Sequence, residues 1–555
     1  MKGLIVSLPF DISPDSIPLA LPTLLAQFEK AKLDVRGIDF NAELYNEILT
    51  SKYLKDCYKN IEKQYLEFSK SSSFENFSNT QKIYSQIVKN KAKIDKLIKN
   101  IPAIRKEFKN KDLNIDSRIP HQMMDVLKVA FAPYSEYTPW KSFLHSYNYQ
   151  SIKDFACSKE NNIFYNFLLK YGKRYNFKKY DFVGISLPLE NSLYYAFTLG
   201  KYIKENAPNT KVVFGGAIIT RLWDDFLKYP EIFDTYCDNL LVGDGDNSLI
   251  QYANYIKKKI SPEKVAGLVY RNDNSQLIFN ETENVDINEI VLPSYKKIDM
   301  SKYPKQILLN IQFSRGCPWG QCAFCTFSYP YRKKYSILSP EKAVDMVEEL
   351  VKKYNVRNFY VVDETLQFKF FIGFAEELVK RNIKISYDCR LRFSESYTLE
   401  TFKLLAKSGL RSIFWGYEAE SERVLKLMNK GLNPEIRYSI LKNAKDAGII
   451  NKLGFIFGFP SETEDEIMQT ISFIKNNYKK IFDMFGISIF SLEKNSHIIK
   501  SPENFAISQI KRKSDFGISH SYYDATISSE RVYELINYCT KLVGEQQNVE
   551  QGRCL

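Results

Sequence analysis

The chain has 555 residues, 44% hydrophobic and 26% charged, with a formal net charge of +13. That length exceeds one ordinary core and predicts several domains, while the composition excludes a disordered or fibrous chain. No run reaches the ~18–20 consecutive apolar residues of a membrane span, and MKGLIVSLPF opens as a strand without a secretory cleavage pattern, so a cytoplasmic protein with no membrane partner is expected.

Residues Gly3 to Ser7 read as a buried strand, Leu19 to Ala31 as an amphipathic helix and Asp34 to Asp39 as a second strand, a βαβ opening. The pattern resumes at Asp181 with the strand FVGISL, a helix from Tyr194 to Asn206 and the strand KVVFGG. Between them, residues 43–178 read as a helical insertion punctuated by the serine run Ser69 to Ser73 and by Pro120, Pro133 and Pro139. Within it, residues 51–120 hold 16 Lys/Arg against 8 Asp/Glu, so +8 of the charge is local. The plainest reading is a solvated lysine-rich helical face; an anionic partner such as nucleic acid is the less favoured one.

A short strand from Thr235 to Val242 closes on Gly243-Asp244-Gly245-Asp246, and a helix from Ser248 to Lys258 completes a doubly wound sheet. Residues 261–304 read as a linker with a hairpin around Arg271 to Asn274 and a turn at Leu292 to Tyr295. From 305 to 497 six strands alternate with helices, which predicts a partial (β/α)6 barrel. The tail, 498–555, shows a helix at Ser529 to Val543 and no other clear signal.

Nine cysteines argue against a disulfide framework, because three of them fall within nine positions and the rest are scattered. Cys317-Pro-Trp-Gly-Gln-Cys322-Ala-Phe-Cys325 follows directly on the first barrel strand, where an α/β barrel places its active site. Three thiolates on one loop can hold three irons of a cubane and leave the fourth iron open, whereas a closed structural site needs four protein ligands. Gly316 and Gly320 let the loop fold tightly. The competing reading is a structural zinc site completed by Cys389 or by one of His121, His145, His497 and His520, none of these histidines lying near the triad in sequence.

This loop, with the aromatic Phe324 before its last cysteine, resembles that of the radical S-adenosylmethionine superfamily, although the first spacing is four residues rather than the commoner three. The resemblance implies a 4Fe–4S cluster on Cys317, Cys322 and Cys325. It also implies ligand-binding positions downstream. YVVDETLQF offers Asp363 and Glu364 for the amino group of the nucleoside ligand, and YDCRLRF offers Arg390 and Arg392. Gly416-Tyr417-Glu418 is similar to the family's fourth-strand motif, with Ala419 in place of its serine, and GFIFGFPSET places Gly454, Ile456 and Gly458 near adenine. Taken singly, Arg390 also reads as a surface ion-pair partner, Glu418 as a buried structural carboxylate and the glycines as close packing.

The amino-terminal segments, residues 1–42 and 179–260, resemble the cobalamin-binding domain often fused ahead of this barrel, through PLALPTLLAQFEKAKLDVRGIDFN, VGISLPLENSLYYAFTLGKYIKENAPNTKVVFGGA and LLVGDGD. A doubly wound sheet binds its cofactor at the carboxyl ends of its strands, here Ser186, Leu187, Gly215, Gly216, Gly243 and Asp244. The Asp-x-His-x-x-Gly segment that ligates cobalt in some such domains is absent from the sequence, so that route of histidine ligation is not expected. Together the resemblances imply one-electron cleavage of S-adenosylmethionine to a 5′-deoxyadenosyl radical, and cobalamin-dependent methylation of an unactivated carbon in a peptide or small-molecule natural product. A one-electron donor such as flavodoxin or ferredoxin is implied as partner. The alternatives are a radical rearrangement or cyclisation without methyl transfer, and a nucleic-acid-binding protein with a structural metal.

Overall fold

The structure is a computed structural model that describes residues 1–9, 16–70, 79–110, 121–134, 146–305, 307–326, 334–431 and 434–552. Ser71 to Ser73 of the serine run, Pro120, Pro139, His145 and the side chain of His121 lie outside the described residues. The chain divides into two compact units, one of Met1–Val285, Glu289–Leu309 and Ser514–Gly517, the other of Asp286–Asn288, Asn310–Lys513 and Ile518–Leu555.

In the first unit, Leu4, Ile5 and Val6, then Phe182, Val183 and Ile185, are buried in unbroken runs, as strands covered on both faces require. They belong to a seven-stranded sheet built from β1 (Lys2–Ser7), β2 (Asp34–Asp39), β3 (Phe182–Ser186), β4 (Lys211–Gly215), β5 (Asn239–Leu241), β6 (Leu268–Arg271) and β7 (Leu277–Phe279). The order is β2-β1-β3-β4-β5-β6-β7. β1 to β5 pair in parallel, while β6 and β7 are antiparallel. The doubly wound sheet is therefore present as expected, with β1 paired to β3 across the insertion.

The hairpin expected within the linker 261–304 supplies β6 and β7 at the edge of this sheet, with Leu268 and Val269 paired to Leu241 and Leu240 of β5. The insertion is helical, and its residues 91–110 form one helix. Ile94, Leu97, Ile101, Ile104 and Phe108 are buried at helical spacing, whereas Lys91, Lys93, Lys96 and Lys99 are exposed, so these four lysines lie on the solvated side of an amphipathic helix.

From the second half of β8 (Leu308–Ile311) onward the second unit carries β9 (Ser314–Arg315), β10 (Ser336–Ile337), β11 (Asn358–Val361), β12 (Ser386–Leu391), β13 (Leu410–Glu418), β14 (Ile450–Phe457) and β15 (Met484–Ile489). A six-stranded sheet runs β15-β14-β13-β12-β11-β8, and β11 through β15 pair in parallel with helices between them. This is the expected partial barrel. Its helices start on side-chain caps from Ser339, Thr398, Ser421 and Thr463, the last with a full capping box to Glu466. The tail, expected as helical, also supplies β17 (Ile507–Arg512) and β18 (Ser519–Asp524), which form a three-stranded sheet with β16 (Leu492–Glu493) in the order β16-β18-β17, before a helix Ser529–Gly552. Polar, half-exposed strands such as SHSYYD carry little periodic signal, which is why sequence patterning passes over them. Among the described residues no helix is long and apolar enough to cross a membrane.

Helix Ser192–Asn206 seats so closely on the following segment that a Cβ at Gly200 would lie 2.1 Å from the Tyr236 carbonyl oxygen. Alanine is the better helix former by about 0.5–1 kcal/mol, but overpacking against backbone costs about 1–3 kcal/mol. Gly200→Ala is therefore expected to lower the urea midpoint of the chain; an unchanged or raised midpoint would show that the helix can back away.

Candidate functional site

β9 feeds the cysteine loop, and Gly316 (φ 85°) and Gly320 (φ 64°) make its turns with backbone angles that favour glycine. The loop is tied down at several points. The Ala323 amide donates to the Met428 carbonyl at 2.9 Å and the Ala323 carbonyl accepts from the Ile498 amide at 3.3 Å. Trp319 Nε1 donates to the Asn429 carbonyl and Asn429 Nδ2 returns a bond to the Gln321 carbonyl, both at 2.9 Å. Gly431 (φ 61°) makes room for the indole, since a Cβ there would lie 2.3 Å from the Trp319 ring.

Cys317, Cys322 and Cys325 are partly exposed thiols on this held turn, none of them in a disulfide. Among the described residues no three His, Cys, Asp or Glu side chains are grouped to hold a single metal ion. Cys389, the other cysteine considered as a ligand, is buried within β12, where burial drives its thiol well above the ordinary range. Burial likewise raises the Cys322 thiol, and the Lys430 and Arg392 cations pull the other way.

The acidic candidates after β11 have separate surroundings. Asp363 is 2% exposed. It accepts from the Phe313 amide at 3.0 Å and from Ser314 Oγ at 2.5 Å, so it grips the strand that enters the loop. Burial pushes its carboxyl up to about 6 against these bonds. Glu364, also raised by burial, faces Arg390 Nη1 at 3.7 Å, and Arg390 Nε donates to the Tyr360 hydroxyl at 3.1 Å.

Arg392 lies differently. Its guanidinium stacks 4.6 Å from the Trp319 ring, Nη1 is 3.9 Å from Cys322 Sγ and Nη2 donates to the Lys430 carbonyl. Lys430 in turn pairs with Glu418 at 2.5 Å, both side chains being about nine-tenths buried. Glu418 has φ 64° at a register shift in β13, and Gly416 leaves space for the pair, since a Cβ there would lie 2.5 Å from Glu418 Oε1 and 2.7 Å from Lys430 Nζ.

Of the candidates on and just after β14, Ile456 falls together with Phe324. Ile456 and Phe324 both pack on the cluster that contains Ala323, Ala419, Phe459 and Phe490. Gly454 accommodates the Phe414 ring, a Cβ there lying 2.7 Å from it, and Gly458 turns at φ 71°. Glu462 closes that turn, accepting from the Gly458 amide at 2.7 Å and the Phe459 amide at 3.2 Å through Oε2. Its Oε1 is buried without a hydrogen-bond partner, and burial pushes the carboxyl up to about 7. Lys430, Trp319 and Glu462 were not singled out from sequence. Glu462 carried a readable signal, a carboxylate four residues beyond the Gly458 turn, whereas Lys430 carried none.

In the first unit, Ser7, Ser186 and Gly215 stand in register across the carboxyl ends of β1, β3 and β4. The Ser7 hydroxyl is buried and has no hydrogen-bond partner, a donor free for a polar ligand. Leu187 donates to the Gly215 carbonyl at 2.8 Å, and its own carbonyl accepts from Ile218 at 3.1 Å. Gly216 (φ 101°) is required by that packing, a Cβ there lying 2.7 Å from the Leu187 oxygen. The Gly243 amide (φ 88°) donates to Thr220 Oγ1 at 2.9 Å, and the Asp244 carboxylate accepts from the Val285 amide at 3.0 Å.

Comparison with known proteins adds to this geometry. Residues 311–474 match the radical SAM superfamily. An uncharacterized methyltransferase of Pyrococcus horikoshii is 28% identical over 53% of this chain and 64% of its own length. The anaerobic magnesium-protoporphyrin IX monomethyl ester cyclase of Rubrivivax gelatinosus is 27% identical over 53% of each chain. The chain thus spans between half and two thirds of these relatives. Among solved structures, the cobalamin-dependent S-adenosylmethionine radical enzyme OxsB with aqua-cobalamin bound superposes with a TM-score of 0.59 at 16% identity, over 96% of this chain and 65% of that one. That likeness carries the two-part fold.

Two outcomes test the site's internal chemistry. Lys430→Met would strand the Glu418 carboxylate in its buried setting, and a loss of about 3–5 kcal/mol in equilibrium unfolding is expected. For Glu462, the folded carboxyl titrates near 7 rather than 4.5, so its contribution is fully present below pH 4.5 and is lost as pH rises through about 7. The difference is worth about 3 kcal/mol. Melting curves from pH 5 to 8 are expected to show Tm falling more steeply in the natural chain than in Glu462→Gln.

Proposed function

We propose, for a chain whose residues 311–474 belong to the radical S-adenosylmethionine superfamily, that it is a cobalamin-dependent radical enzyme that methylates an unactivated carbon of a peptide or natural-product substrate. The observation that carries this reading is the pinned loop bearing Cys317, Cys322 and Cys325 at the mouth of the first barrel strand. When bound, a 4Fe–4S cluster supplies the electron that splits S-adenosylmethionine into a carbon radical, and cobalamin supplies a methyl carrier.

The chain's own residues fit those groups. Three thiols without a fourth loop cysteine suit a cubane with one open iron. Phe324 and Ile456 offer an apolar wall for a nucleoside base, with Gly454 two residues before Ile456 on the same strand, and Glu418 offers a carboxylate for hydroxyls or an amino group, oriented by Lys430. Asp363 serves in this reading as the anchor of the loop strand, with Glu364 and Arg390 left facing one another. For cobalamin, the row of Ser7, Ser186 and Gly215 offers hydroxyls beside a residue without a side chain, with Leu187, Gly216, Gly243 and Asp244 holding the strand-end loops in place. A small external one-electron protein of the flavodoxin or ferredoxin kind is the proposed reductant.

The likeness to a cyclase supports a second reading with the same groups, ring closure or rearrangement without methyl transfer. One experiment separates them. The full chain, reconstituted anaerobically with iron, sulfide and hydroxocobalamin, is expected to hold about four irons. With methyl-labelled S-adenosylmethionine, a reductant and an extract of the producing cell, it is expected to form 5′-deoxyadenosine and a labelled product. Deoxyadenosine without labelled product would favour ring closure. Failure to hold iron, or deoxyadenosine formation by a variant with all three cysteines replaced by alanine, would overturn both readings.

A further inference from the structure

We infer that Arg392 is a positioning residue for the electron affinity of the metal centre, acting through the Cys322 sulfur rather than on the nucleoside ligand. This rests on the proposed cluster, and it reassigns an arginine whose position alone suggested a ligand contact.

Four constraints fix the side chain. The Arg392 amide donates to Thr365 Oγ1 at 3.2 Å, which sets the start of the side chain at the end of β12. The guanidinium carbon lies 4.6 Å from the centroid of the Trp319 ring, whose face a cation favours. One fork of the guanidinium is taken by the Lys430 carbonyl and the other points Nη1 at Cys322 Sγ, 3.9 Å away. Trp319 is itself locked by its bond to the Asn429 carbonyl and by the space left at Gly431.

A planar, permanently charged group with fixed donors suits this task, because a lysine ammonium offers neither the stacking plane nor two parallel forks. A cation donating to a ligating thiolate stabilises negative charge on the sulfur and so favours the reduced state of the attached centre; hydrogen bonds to the sulfurs and net charge are among the levers that set such potentials. Lys430 is already committed to Glu418, and the cation whose nitrogen is aimed at the Cys322 sulfur is that of Arg392.

The test is a redox titration of the reconstituted full chain, followed by electron paramagnetic resonance, with iron and sulfide counted alongside. Arg392→Gln is expected to keep its iron and to lose about tenfold in its preference for the reduced form, a midpoint lower by about 59 mV for a one-electron couple. Arg392→Lys is expected to fall between. An unchanged midpoint in Arg392→Gln overturns the inference, and weakened S-adenosylmethionine binding with that unchanged midpoint would return the arginine to ligand contact. Should Arg392→Gln hold no iron, Trp319→Leu carries the test, because it keeps the charge and removes the face that aims it. A lowered midpoint there supports the inference; a natural midpoint, or loss of iron in both variants, overturns it in favour of a structural role. If the natural chain itself holds no iron, the proposed function fails first, and the two failures are told apart by the iron count.

Discussion

The hydrogen bond from the Ala323 amide to the Met428 carbonyl ties the cysteine loop to the turn that delivers Asn429, Lys430 and Gly431. Nine residues carrying three thiols have far more conformations than the single one this loop adopts, and each ordered residue costs about 1–2 kcal/mol of backbone entropy. The turn after the helix Glu422–Leu427 meets that cost with backbone contacts at Gln321, Ala323 and, through its indole, Trp319. Gly431 is the point where the arrangement tolerates no side chain, since the indole occupies its place.

From that tie the charges of the site follow in sequence. Lys430 leaves the turn and meets Glu418, whose backbone at φ 64° turns it out of the regular strand. Arg437, 1% exposed, holds the bulge from behind: its Nη1 donates to the Ala419 carbonyl at 2.8 Å and its guanidinium lies 3.9 Å from the Tyr417 ring. On the other side Asp363 secures Phe313 and Ser314, so the loop is gripped before its first cysteine as well as after its second.

Patterning exposed the strands whose burial is continuous, because GLIV, FVGI and the alternating LGFIF carry their period in the residues themselves. The hairpin at Arg271 to Asn274 was legible as a turn, but its place on the edge of the sheet was not, because pairing of β6 with β5 depends on a contact about 30 residues away. The same limit applied to the site. The three cysteines stood out by spacing, and Phe324 and Glu418 by the resemblance of their segments to the family's motifs. Lys430 and Trp319 did not, because a lysine in a polar turn and a tryptophan beside a proline acquire meaning through the atoms they touch. Arg390 and Arg392 looked equivalent two residues apart, yet one faces Glu364 and the other a thiol.

Ser514–Gly517 belongs to the first unit, although some 200 residues of barrel separate it from Leu309. Phe516 fills an aromatic nest formed by Phe226, Tyr229, Tyr149 and Phe197, and Asp515 accepts from the Tyr149 amide at 2.9 Å. On the ribosome, at about 5–20 residues per second, the amino-terminal half therefore waits on the order of tens of seconds with that nest unfilled. Its final maturation is coupled to completion of the barrel, so a nascent chain that stalls midway exposes a sticky aromatic hollow to the quality-control machinery.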